Sequence, residues 1–207
     1  RVIINEEWWI KHICERSDLT SRITHLTKRA EEKSAFDVLC EILNKKRLLA
    51  SASNGYVRQN KKVICFQDVP LYSLAENIKF ENEHINNGFF NEKDNFRYEA
   101  FGLRFNKGHM FQKGARPVIY SSKDELDRLP DDEQWRCVQL DLSSSDNVID
   151  WTHEREWRIQ DDFSFEYEEV EVILGCKEYY KKFIDYYSGR ELLDKINGVI
   201  VLNSLLR

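Results

Sequence analysis

The sequence is poor in the residues that interrupt chains. Eight glycines and three prolines in 207 residues leave no room for long linkers or low-complexity tracts. No apolar run approaches the roughly 20 residues that cross a bilayer, so no membrane association is expected. The opening Arg1-Val-Ile-Ile-Asn5 lacks the form of a signal peptide and, having no initiator methionine, reads as already trimmed. An excess of basic charge is also missing. The net charge of −5 argues against a protein that lives on nucleic-acid backbone, although 31 Lys and Arg allow local basic patches. The five cysteines, Cys14, Cys40, Cys65, Cys137 and Cys176, are dispersed and odd in number, and no Cys-x-x-Cys pair occurs. A disulfide framework and a zinc ribbon are thereby excluded, and free thiols in a reducing cytoplasm are expected. Glycine-rich phosphate loops, His-Glu-x-x-His and Gly-x-Ser-x-Gly are absent, and the five histidines show no metal-ligand spacing.

What remains is the composition of a globular chain. Hydrophobic residues at 42% can fill a core while charged residues at 32% solvate its surface, and the length fits one domain over residues 1–207. Residues 5–17 space Trp8, Trp9, Ile13 and Cys14 as a helix does. Ser21 to Thr27 reads as a short strand. Residues 34–47 repeat Phe36, Leu39, Ile42 and Leu43 on one helical face, with Ser34 as N-cap. Leu48 to Ser53 leaves that helix for a loop around Asn54-Gly55. Val63 to Phe66 is a strand, Pro70 suits the first turn of a helix through Leu74 and Ile78, and the polar residues 82–95 read as loop.

Tyr98 to Phe105 alternates, with Phe101, Leu103 and Phe105 on one side and Ala100, Gly102 and Arg104 on the other. Further strands are expected at Arg116–Tyr120, Val138–Leu142, Glu154–Ile159, Val170–Leu174 and Val199–Leu202, with a tyrosine-rich helix at about 177–187. Strict β-α-β alternation is lacking, so the class is α+β with a mostly antiparallel, curved or split sheet and helices concentrated near the N-terminus.

Four segments could carry chemistry. In Glu154-Arg-Glu-Trp-Arg-Ile159, strand alternation puts Glu154, Glu156 and Arg158 on one face and the core-seeking Trp157 and Ile159 on the other. Two carboxylates that close are unfavourable without a compensating cation or ligand; the plainer reading is a solvated strand face with Arg–Glu pairing. In Ser21-Arg-Ile-Thr-His-Leu-Thr27, Arg22, His25 and Thr27 are candidates, against the ordinary alternative of a structural histidine. Phe66 and Tyr72 could stack on a planar ligand or simply fill the core. Arg116, before a proline at a strand edge, could bind phosphate or lie idle on the surface, and Tyr120 follows it.

Taken in order, these segments resemble the ADP-ribosyltransferase superfamily, in particular DarT-like toxins and abortive-infection (AbiGi-like) phage-defence proteins. The resemblance rests on Arg22-Ile-Thr-His-Leu-Thr27, Cys40-Glu-Ile-Leu, Leu48-Leu-Ala-Ser51, Cys65-Phe-Gln-Asp-Val-Pro-Leu-Tyr72, Glu156-Trp-Arg-Ile159, and the Val170–Leu174 and Val199–Leu202 tail. It implies a split, mostly antiparallel sheet and NAD as substrate. It implies Glu156 as the catalytic carboxylate and Glu154 as its partner in choosing the acceptor. Arg22, His25, Thr27, Phe66, Tyr72, Arg116 and Tyr120 would serve the NAD site, and either Arg58 or Arg116 would supply the arginine of DarT-like sites.

The chemistry asks for such residue types. A carboxylate stabilises the oxocarbenium-like state formed when the nicotinamide–ribose bond breaks, an arginine suits a pyrophosphate, and a ring stacks on nicotinamide or adenine. The resemblance further implies a nucleic-acid or protein acceptor and an antitoxin or defence-system partner. Two other readings stay open: a non-catalytic sensor or binding module on the same fold, and a nuclease using Glu154 and Glu156 with a divalent ion and help from Asp161 and Asp162.

Overall fold

A computed structural model describes residues 4–30, 32–51, 57, 58, 61–86 and 99–206 of the chain. It opens with helix α1 (Glu6–Cys14), capped by the Asn5 side chain, which accepts from the Trp8 amide. Strand β1 (Arg22–Leu26) leads to α2 (Ala35–Lys45). Ser34 caps α2 as expected, in a reciprocal capping box with Asp37, and Lys46 ends it in the left-handed region at φ 48°. Next come β2 (Arg47–Leu48), β3 (Val63–Gln67) and, after Pro70, α3 (Leu71–Asn86). They are followed by β4 (Gly102–Asn106), α4 (Lys107–Gln112), β5 (Arg116–Pro117), β6 (Ile119–Ser121) and α5 (Lys123–Leu126). The chain continues through β7 (Cys137–Gln139), β8 (Glu156–Gln160), β9 (Phe163–Ser164), β10 (Val170–Leu174), α6 (Lys177–Tyr187), α7 (Leu192–Lys195) and β11 (Gly198–Val201).

The class is mixed α+β, built on an open, mostly antiparallel sheet. Seven strands run in the order β11-β10-β4-β1-β3-β8-β5, and only the edge pair β10 and β11 is parallel within it. Two small pairs, β2 with β9 and parallel β6 with β7, stand beside it. Among the described residues no helix is long and apolar enough to cross a membrane.

Strand alternation gives the sheet two unlike faces. One bears Ile23, Ile64, Phe66, Leu103, Phe105, Ile159, Val170, Val172 and Leu174, and buries them under Phe36, Leu39 and Leu43 of α2 and Phe183 and Tyr187 of α6. On the other face, α3 covers one part through Leu74, Ala75 and Ile78 against Ile173 and Leu202. Trp135 and Val57 cover another part against Val63. The strip between these patches carries polar side chains.

Several boundaries depart from the sequence-based expectation. Leu48, expected in a loop, pairs in a short ladder with Phe163 of β9. Helix α3 runs on to Asn86, into residues expected to be loop; the rest of that stretch, like Asn54-Gly55 and Tyr98, lies outside the described residues. The strand expected over Arg116–Tyr120 divides at Val118. Its first half pairs with β8 in the main sheet, and its second half leaves to pair with β7.

Candidate functional site

The expected Glu154–Ile159 strand begins two residues late, at Glu156. The cause is local. The Asp150 carboxylate accepts hydrogen bonds from the Thr152 amide at 2.9 Å and the Thr152 hydroxyl at 2.6 Å, which nucleates a turn. Thr152–Glu154 then form a 3-10 turn, and Arg155 takes the left-handed conformation at φ 45° before extended backbone resumes. Glu154 therefore does not share a strand face with Glu156. It stays close enough that its charge, with that of Glu156, raises the pKa values of Cys65 and Tyr120.

Glu156 and Arg158 do share a face, as expected for positions two apart on a strand. Their side chains form a two-pronged contact, with Nε donating to Oε1 at 2.8 Å and an Nη donating to Oε2 at 3.1 Å. Arg158 is almost fully buried, and its other Nη donates to the Trp135 carbonyl at 2.9 Å. Burial opposes the guanidinium charge, but the hydrogen bonds and charge of Glu156, with smaller contributions from Cys65 and Tyr120, together outweigh it and raise the Arg158 pKa. The Glu156 amide donates to the Tyr120 hydroxyl oxygen at 3.0 Å, which brings this expected site residue against the start of β8. Burial first, then the Glu156 and Glu154 charges, push the Tyr120 phenol up to about 12, so it stays protonated. Cys65 lies opposite Arg158 in register. Burial, and then its charge interaction and hydrogen bond with Glu156, push its thiol up, so it remains a thiol rather than a nucleophilic thiolate.

The registers of four neighbouring strand pairs align one residue from each of five strands. Glu171 faces Arg104, Arg104 faces Thr24, Thr24 faces Gln67, and Gln67 faces Glu156. Directly opposed residues project to the same side, so the five form one straight polar row on a sheet face. Four strand spacings of about 4.8 Å make the row ~19 Å long. Its first end is charged. Arg104 donates to Glu171 at 2.7 Å, and Arg22, next along the same face of β1, lies 3.1 Å from the other Glu171 oxygen. Two guanidiniums thus share one carboxylate. The middle of the row is buried and incompletely paired. Thr24 is 1% exposed, Gln67 6% and Arg104 7%, yet Thr24 Oγ1, Gln67 Oε1 and Arg104 Nε find no hydrogen-bond partner among the described residues.

Other expected site residues fall elsewhere. His25 projects opposite to Thr24, with Leu103 as its β4 partner, and its ring meets the buried Phe66 edge-on at 5.8 Å. It is therefore separated from the Glu156 face by the thickness of the sheet, although both were expected at one NAD site. Its Nδ1 lies 2.9 Å from the Cys65 carbonyl oxygen. Phe66 is packed in the core against Phe105. The Thr27 hydroxyl is spent on the Ala35 carbonyl at 2.9 Å. Tyr72 stands exposed on the first turn of α3. Arg116 stands opposite Arg158 in register, but its guanidinium is taken up by the carbonyls of Phe111 and Ala115 and lies 4.0 Å from the Phe111 ring centre. Arg58 is paired with Asp127 at 2.6 Å. Asp162 is paired with Arg47 at 2.7 Å, and among the described residues no group of three or more His, Cys, Asp or Glu could hold a metal ion.

Thr24, Gln67, Arg104 and Glu171 were not singled out by the sequence reading. A signal for three of them exists: Leu103-Arg104-Phe105, Val170-Glu171-Val172 and Ile23-Thr24-His25 each set a polar residue between neighbours committed to the opposite face. Comparisons with family models, with curated proteins and with solved structures find no match to the chain.

Proposed function

We propose that the chain is an NAD-dependent mono-ADP-ribosyltransferase, a toxin or anti-phage effector of bacterial type, working on the sheet face that ends at Glu156. The observation that carries this reading is the in-register row Glu171–Arg104–Thr24–Gln67–Glu156. A ligand lying along it would meet a cation-rich end at Arg22 and Arg104, a neutral hydrogen-bonding middle and a fixed carboxylate. The cation-rich end suits a pyrophosphate, and the fixed carboxylate suits a ribose that becomes cationic. In the reaction, the nicotinamide–ribose bond breaks with its electron pair leaving on nicotinamide. The acceptor nucleophile bonds to the freed ribose carbon and gives up its proton. Glu156 stabilises the positive charge between those events, and Arg158 holds the carboxylate in one orientation. A nucleic-acid or protein acceptor, a cytoplasmic setting and an antitoxin or defence-system partner belong to the same proposal.

The test is NAD consumption by purified protein, with acceptor labelling followed separately. Glu156→Gln keeps an acceptor for Arg158 while removing the charge, and is expected to slow nicotinamide release by ~10²–10³-fold in a folded protein. Glu154→Gln is expected to spare nicotinamide release more than transfer, since Glu154 stands outside the row. A wild-type rate no greater than that of Glu156→Gln would overturn the enzyme reading. One observation favours the alternative of a non-catalytic binding module: the Glu156 carboxylate is already engaged at both oxygens by Arg158. That module would bind NAD or a partner with no turnover.

A further inference from the structure

The row contains a feature that neither the charge at its ends nor the Glu156–Arg158 pair explains. Buried polar atoms are almost always hydrogen-bonded, because an unpaired one forfeits the water it had in the unfolded chain. Thr24 Oγ1, Gln67 Oε1 and Arg104 Nε are three such atoms on three adjacent strands, at directly opposed positions of one face. Their chemistry is complementary. The Gln67 oxygen accepts, the Arg104 Nε–H donates, and the Thr24 hydroxyl does either. Each Nη of Arg104 already makes one bond, to Glu171 at 2.7 Å and to Thr20 at 3.3 Å, whereas its Nε–H makes none. At either end of this trio the side chains are more open, with Arg22 26% and Glu171 18% exposed on one side and Glu156 11% on the other.

We infer that Thr24, Gln67 and Arg104 form a subsite for an uncharged ligand group that both donates and accepts hydrogen bonds, and that Thr24 and Gln67 are specificity-determining residues. The subsite rests on the proposed NAD chemistry for the identity of its guest. Within that ligand two groups have the required character: the carboxamide of nicotinamide and the ribose hydroxyls. A charged group is disfavoured beside Thr24 and Gln67, which are buried and neutral, while the one charge of the trio, on Arg104, is already engaged by Glu171.

The experiment compares wild type with Thr24→Val and Gln67→Met, both close in shape and free of the unpaired atom. Arg104 is left alone because it ties β4 to β10 through Glu171. Thermal unfolding without ligand is measured first, then affinities for NAD, ADP-ribose and nicotinamide. Both variants are expected to unfold at the same temperature as wild type or higher, since each removes an unpaired buried atom. Each is expected to weaken NAD binding by roughly tenfold, the scale of one hydrogen bond. Parallel loss for nicotinamide with ADP-ribose unchanged assigns the carboxamide, and the converse assigns the ribose. Lower unfolding temperatures in both variants would overturn the subsite, because the atoms would then be tied into an internal water network that supports the fold. Unchanged affinity in both variants for a probe that wild type binds would overturn it equally. If wild type binds none of the three probes, the NAD reading and the subsite both fall, whatever the unfolding temperatures show.

Discussion

On one face of the central sheet, Ile23, Leu103, Phe105 and Val172 are sealed under α2 and α6. On the other, their chain neighbours Thr24, Arg104 and Glu171 form a polar row. The same strands, at the same depth, serve two ends. The apolar face stabilises through area removed from water and through close packing, which tolerate no gaps. The polar face buries charge and amide, which help only where each finds a partner, and three of its atoms do not. A face that gives up stability in this way is the natural place to look for function.

The contrast can be broken from either side. Phe105→Ala empties the middle of the apolar face and is expected to cost about 3–5 kcal/mol in equilibrium denaturation. On the polar face, Arg158→Met strands the Glu156 carboxylate in a mostly buried position, with an expected loss also of about 3–5 kcal/mol. The difference lies in rescue. Glu156→Gln combined with Arg158→Met should recover most of that loss, whereas no second change on the apolar face restores Phe105. A double variant as unstable as Arg158→Met alone would mean that the loss does not come from a stranded Glu156 carboxylate.

A smaller effect sharpens the comparison through pH. Burial lowers the His25 pKa, with the Cys65 carbonyl working against the shift, so the folded protein holds His25 neutral where the unfolded chain would protonate it. The unfolded state then binds more protons, and stability should fall as pH drops below about 6.5, the ordinary histidine value. Asp68, whose carboxyl burial pushes up, acts with the opposite sign, so the His25 contribution is read as the difference from a variant at that position. His25→Leu should flatten the slope in urea titrations at several pH values. An unchanged slope would place the proton uptake elsewhere. The smallest effect is expected at Tyr72, exposed at 56%, where Tyr72→Ala should change stability by no more than about 0.5 kcal/mol and leave NAD affinity untouched. A large loss of affinity there would return Tyr72 to the ligand site.

Much of the fold was legible in the sequence because it followed from local rules. Ser34 marked the start of α2, period-two alternation marked β4, the short run Val170–Leu174 marked β10, and the tyrosine-rich segment marked α6. The site was legible in part. Glu156 with Arg158 on one face followed from alternation, and Tyr120 reached the same place through an unrelated strand. The Glu154 strand assignment failed because an Asp150 side chain outcompeted the extended backbone, an interaction that hydrophobic periodicity does not register.

The sequence by itself determined the class, the core-forming faces and the side of β8 on which Glu156 stands, since these depend on the order of apolar and polar residues along one strand. Only the tertiary structure decided which residues stand beside Glu156. Strand order and register are set by packing between distant segments. They put Gln67, Thr24, Arg104 and Glu171 in line with it, and turned His25 to the far side of the sheet, one position along β1 from Thr24.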